Sequence, residues 1–181
     1  MYDRMQGLYQ AIGDAERAID ISADAGCVLP PGYRLLRLDD RDGQLGTYEI
    51  ALLNDLEISV VYYNKVTVKA NTATRNAWRN PGAQHAEVIA DITDKVFFDY
   101  LLQRHSMVLS DDQETGEGSH YWQRQLSHAL NRGLKIYEYR SGEQLRSIED
   151  QVALTELVDR VWSTPKNSSS TLALICRASC S

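Results

Sequence analysis

The sequence is poor in most features that announce a function. Its three cysteines, Cys27, Cys176 and Cys180, are an odd number at spacings that match no structural zinc pattern. They read as unpaired thiols of a reducing cytoplasm. No apolar run approaches the roughly 18–20 residues of a membrane span. No cationic segment leading into an apolar one opens the chain, so a secretory signal is not expected. Nor is there an excess of bases: 19 Lys and Arg against 25 Asp and Glu leave a net charge of −6, with a pI near 5.2. That argues against a broad electropositive face for nucleic acid. Phosphate loops of the Gly-x-x-x-x-Gly-Lys type, Gly-x-Ser-x-Gly elbows and His-x-x-x-His or Cys-x-x-Cys pairs are all missing, and no metal is expected. Phenylalanine occurs only twice, against ten Tyr and three Trp, so much of the aromatic packing carries polar tips that need partners.

What remains is an ordinary folded chain of 181 residues, 43 % hydrophobic and 24 % charged. Met5, Leu8, Ile12, Ala15 and Ile19 recur at spacings of three and four, predicting an amphipathic helix over roughly residues 3–21. It forms an N-terminal segment (1–28) ahead of one domain (29–181), and its stripe suits either a core cover or a homodimer seam. Three strands able to pair by hairpins follow, at Tyr33–Leu38, Thr47–Leu53 and Glu57–Val68. Ala70–Gln84 is polar and poorly periodic and reads as a loop, with at most a helical turn near Trp78. Ala86–Ile92 then reads as a strand, with Thr93 or Asp94 capping a helix through Leu101. Ser106–Leu109 reads as a buried strand, followed by a helix from Ser119 to Gly133 and a strand at Leu134–Tyr139. A last helix opens at a capping box, Ser147–Asp150, and a closing strand runs from Thr171 to Cys176. Antiparallel hairpins first and crossover units second predict an α/β or α+β mixed sheet with about seven strands and four helices.

Within this order, Phe98-Asp99-Tyr100-Leu101-Leu102, Val108-Leu109-Ser110-Asp111, Gln113, Thr115, Gly118 and Trp122 form the most specific pattern. The chain here resembles the GNAT superfamily of acyl-CoA-dependent N-acyltransferases, in a divergent branch found among phage and mobile-element proteins. The likeness in element order covers Tyr33 to Ala178. It implies an antiparallel run into a central strand, a helix, a fifth strand, a helix and a final pair of strands. It also implies acetyl-CoA or another acyl-CoA as cofactor, and a bacterial-host cytoplasm as location. Active members carry Arg/Gln-x-x-Gly-x-Gly/Ala between the central strand and its helix, where backbone N–H groups and the helix dipole receive a pyrophosphate. With the strand at Ala86–Ile92, the equivalent stretch is Asp91–Val96, and any cofactor contact falls on Thr93, Asp94 and Lys95. That stretch has no glycine and two acids, each opposing a pyrophosphate by on the order of a few kcal/mol. Transferase activity is therefore questioned by the same residues that would hold the cofactor.

Two other segments carry candidate chemistry. The polar run Ser110–His120 follows a strand and leads into a helix, the position at which open sheets bind ligands. There Asp111 or Asp112 would take a proton while Ser110 or His120 orients a group. The plain alternative is a solvated turn and helix cap. The resemblance also implies a tyrosine general acid near the later strands, for which Tyr137 is the candidate; Tyr137 and Tyr139 share one face of their strand and otherwise read as core. Between Asn64 and Asn80, bases and aromatics interleave without an acid. Tyr63, Lys65, Arg75, Trp78 and Arg79 would supply a docking surface for a protein partner, or alternate on a half-exposed strand. Two functions follow from different classes: a GNAT-like acyltransferase, and a non-catalytic protein binding a host or virion partner.

Overall fold

The computed structural model describes residues 2–41, 43–110, 118–139, 144–163 and 172–177. The chain divides after Arg104 into two compact units, Met1–Arg104 and His105–Ser181.

The first unit is a sheet with a helix on each face. Its strands β1 (Ile19–Asp20), β2 (Tyr33–Asp39), β3 (Thr47–Asn54), β4 (Ser59–Lys69) and β5 (Thr72–Arg79) lie in sequence order, and every pair is antiparallel. Helix α1 (Tyr2–Gly13) is shorter than its apolar spacing predicts. The Gly13 carbonyl is held by the Arg34 guanidinium at 3.2 Å, and Ala15 and Ala18 continue as turns. Its stripe packs inside the chain: Ile12, fully buried, joins Leu36, Leu38, Ala51, Leu53 and Val60, with Met5, Leu8 and Tyr9 against them. Four of the five stripe residues, Met5, Leu8, Ile12 and Ala15, thus pack toward the sheet, whereas Ile19 falls on β1 and is exposed.

Two predicted elements change character. Residues 70–84 are not a loop, because Thr72–Arg79 is strand β5, reached through a two-residue turn at Ala70-Asn71. Ala70 adopts φ +52° there, a left-handed conformation that no glycine or asparagine marks in advance. Nor is Ala86–Ile92 a strand. After a short 3₁₀ turn (Ala83–His85), one helical run comprises α2 (Ala86–Asp94), a π-helical segment (Lys95–Leu101) and α3 (Leu102–Arg104). Ile89, Ile92, Val96 and Phe97, all buried, keep the three-to-four spacing of a helix stripe. Arg75 lies over the Phe97 ring at 4.4 Å and Arg37 donates to the Tyr100 hydroxyl at 3.0 Å, which fixes the run on the sheet face opposite α1.

The second unit pairs β6 (Ser106–Ser110), β9 (Leu172–Cys176), β7 (Lys135–Tyr139) and β8 (Arg146–Ile148) in that spatial order, all antiparallel. Helices α4 (Gly118–Asn131) and α5 (Gln151–Ser163) accompany them. Asp150, rather than Ser147, caps α5, accepting from the Ala153 N–H at 2.8 Å. Cys176 takes part in a disulfide, so it is not the free thiol its spacing suggested, whereas Cys27 is free and buried. Among the described residues the architecture is α+β, with nine strands rather than about seven and four helical stretches when α2, π and α3 are taken together. No helix of the described residues is long and apolar enough to cross a membrane.

Candidate functional site

The first unit carries two places where polar chemistry is concentrated. One is a groove of about 430 Å³ beside the first turns of α1, lined by Met5, Gly7, Leu8, Arg41, Tyr63, Asn76 and Trp78. The alternation of β3 turns Glu49 to the α1 face, where it is only 2 % exposed. Arg41 grips it with two bonds, Nε to Oε2 at 2.6 Å and Nη2 to Oε1 at 2.8 Å. The Tyr63 hydroxyl donates to the same Oε1. Burial, and then the bond to that carboxylate, push the Tyr63 phenol far above its usual range. Tyr63 is therefore fixed as a donor, and the groove floor is an ion pair without net charge.

The other place is where β5 gives way to the helical run. Arg79 ends β5, and Asn80-Pro81-Gly82 turns the chain. Asn80 Oδ1 accepts from the Gly82 N–H at 2.9 Å, an Asx turn that aims the next amides along the helix axis. Gly82 caps the 3₁₀ turn with no side-chain bond and no acid within it, whereas α2, which continues it, has His85 at its N-cap and Glu87 in its first turn. Its φ of −61° suits any residue, so glycine is not needed there for backbone freedom. Nor is it required for space, because a Cβ would meet only the end of the flexible Gln84 side chain, at 2.7 Å, which can move aside. Beside this junction His85, 1 % exposed, has Nδ1 3.0 Å from the Tyr33 hydroxyl. Its Nε2 is 3.0 Å from Glu57 Oε2, at ion-pair distance though off the line of the ring N–H.

The structure scatters several predicted site residues. Thr93, Asp94 and Lys95 do not begin a helix but lie inside one. The Thr93 hydroxyl bonds back to the Ile89 carbonyl, the Lys95 N–H is taken by Asp91 and Ile92 carbonyls, and the Lys95 ammonium pairs with Asp91. They present no open amides to an anion, so the cofactor contact expected there has no geometric basis. Of the docking set, Tyr63 and Trp78 are paired in register and share the α1 face with Lys65. Arg75 and Arg79 fall on the opposite face, Arg75 buried over Phe97. Ser110 closes β6, and Tyr137 lies on β7 with β9 between them. Two strand spacings, about 10 Å, hold these strands apart. On β7 the buried side chains are Ile136 and Glu138, with Glu138 2.9 Å from Arg160, while Tyr137 is half-exposed. Asp111 and Asp112 lie outside the described residues, as do the side chains of Ser110 and His120.

No family model and no curated protein matches the chain. A solved structure does. It is a "putative acetyltransferase" from Sphaerobacter thermophilus DSM 20745, with 15 % identity over 74 % of this chain and 71 % of that one, at a TM-score of 0.31.

The residues that sequence reasoning missed are Glu49, Arg41, His85, Tyr33 and the Arg79–Gln84 junction. Only the last had a readable signal, because Arg79-x-x-Gly82 matches the opening of the phosphate pattern quoted for the resembled superfamily.

Proposed function

We propose that the protein is a divergent GNAT-like acyl-CoA-binding protein whose phosphate grip lies at the junction of β5 and α2, with acyl transfer to an amine as its activity. The single observation behind this is Arg79-Asn80-Pro81-Gly82-Ala83 at a strand-to-helix switch, where Gly82 caps the acid-free 3₁₀ turn that leads into α2, whose own first turn carries Glu87. Two of the three specified positions of the family pattern are matched, by Arg79 and Gly82, and the third, Gln84, departs from it. The acids that argued against binding, Asp91 and Asp94, belong to the body of α2. The donor set fits a pyrophosphate: the Ala83 and Gln84 amides at the positive end of the helix, and the exposed Arg79 guanidinium at its edge. When bound, such a cofactor supplies a thioester as acyl donor. The order of elements, an antiparallel run, a helix, a strand, a helix and further strands, supports the same reading.

Thermal melting with coenzyme A and with acetyl-CoA tests it. A ligand that binds only the native state at about a hundred times its Kd stabilises by about 2.7 kcal/mol, a rise of several degrees. Arg79→Ala should remove most of that rise. No rise at millimolar cofactor overturns the reading and leaves the non-catalytic partner-binding alternative. That alternative has its own observation, the Tyr63–Trp78 pair left half-buried at the mouth of the groove.

A further inference from the structure

A histidine that is 1 % exposed needs a reason for its two ring nitrogens to be where they are. His85 occupies the start of α2, Tyr33 the start of β2 and Glu57 the turn between β3 and β4, so three distant segments meet at one imidazole. The Tyr33 hydroxyl is 3.0 Å from Nδ1, and the two rings stand edge to face, 81° apart. Glu57 Oε2 is 3.0 Å from Nε2 and half-exposed. An oxygen acid, a ring nitrogen in reach of its proton and a carboxylate behind the ring make the general form of an activated nucleophile. The contrast with Tyr63 is informative, because that phenol points into a carboxylate already held by Arg41 and has no neutral base to take its proton.

We propose that Tyr33, His85 and Glu57 form a base-assisted nucleophile that accepts an acyl group from an activated ester or thioester. The Tyr33 oxygen bonds to the carbonyl carbon while its proton passes to Nδ1 of His85. The bond from that carbon to the leaving oxygen or sulfur breaks, and the leaving atom keeps the electron pair. It then takes the proton back from Nδ1, so acyl group and proton change places and nothing is oxidised. Glu57, 3.0 Å from Nε2 though off the line of the ring N–H, offsets the positive charge the ring carries between the two transfers. The proposal goes beyond phosphate binding at the neighbouring junction and stands without it.

The test is acetylation of the full chain by p-nitrophenyl acetate at neutral pH, a probe with no phosphate, read by peptide mass spectrometry over time. Tyr33 should be acetylated well ahead of exposed Tyr139. His85→Gln should slow it about a hundredfold, the usual weight of a general base. Glu57→Gln should also slow it while leaving the melting temperature close to wild type, since Glu57 is half-exposed. If His85→Gln fails to fold, Glu57→Gln decides. Acetylation of Tyr33 no faster than Tyr139, acetylation confined to lysines, or equal rates in wild type and Glu57→Gln would each overturn the proposal. Loss of the coenzyme A effect on melting would leave it untouched.

Discussion

Tyr63 and Glu49 are diagonal neighbours across the β3–β4 pair, and the phenol donates to a carboxylate that Arg41 holds with two further bonds. Removing each partner has a different cost. Arg41→Ala strands a buried charge and should destabilise by about 3–5 kcal/mol. Tyr63→Phe removes one hydrogen bond to an ion that keeps its partner, about 1–2 kcal/mol. Because the folded Tyr63 phenol titrates above its unfolded value, its contribution is complete below pH of about 10 and is lost as pH rises beyond it. Chemical denaturation in alkaline buffers should show a shallower fall in Tyr63→Phe than in wild type. Buried Tyr48, raised chiefly by burial, keeps some slope in both.

At the far end of α1, Asp55 takes two 2.7 Å bonds from Arg34 and a third, also 2.7 Å, from the Tyr9 hydroxyl. Arg34, above all, draws the Asp55 carboxyl below its usual range. Its stabilisation is therefore present above the unfolded value of about 3.9 and disappears as pH falls through the lower folded value. Both side chains are about a third exposed, 36 % and 35 %, so screening limits Asp55→Asn to roughly 1 kcal/mol. The loss should be local. Hydrogen exchange in α1 should quicken well before exchange in β3 and β4, and equal acceleration in both would refute this assignment.

How much of this was legible depends on where period and polarity agreed. Strands β2 to β4 were readable because apolar side chains alternate in them, and α1 because its stripe recurs every three or four residues. Strand β5 was not, because one of its inward positions is Arg75, buried by stacking on a ring that only the fold supplies. Val88, Ile89 and Ile92 looked like strand by residue type, yet their spacing continues into Val96 and Phe97 as a helix. That single exchange moved the expected strand-to-helix junction from Arg79–Gly82 to Asp91–Lys95, and with it the residues expected to contact a cofactor. The meeting of Tyr33 with His85, 52 residues apart, leaves no local trace at all.

Cys27 should behave as a silent thiol. Burial chiefly pushes it up to about 11 from 9.0, and its Sγ reaches only the Ala25 carbonyl at 3.7 Å. At pH 8 about one molecule in a thousand then carries the thiolate that alkylating agents need. Iodoacetamide should modify it slowly in native buffer and rapidly in denaturant. Rapid native labelling would mean that the 22–32 segment opens far more readily than its packing implies.

The last prediction separates bases that a single polar stretch makes look alike. Arg75 is 8 % exposed with its guanidinium carbon 4.4 Å from the Phe97 ring centre, so it belongs to the contact between the sheet and the π-helical segment. Arg75→Ala should cost about 1–3 kcal/mol in lost packing and cation–π attraction, lowering Tm by several degrees with or without any ligand. Arg79 ends the same strand but is exposed, at the edge of the glycine-capped helix start. Arg79→Ala should leave the unliganded Tm within about 0.5 kcal/mol of wild type while abolishing the response to coenzyme A. Were all of Lys65, Arg75 and Arg79 one docking face, the three substitutions would instead weaken a common partner by similar factors and leave stability alone. Register forbids that, because Lys65 pairs with Asn76 on the α1 side, while Arg75 and Arg79 oppose Val66 and Tyr62 on the other.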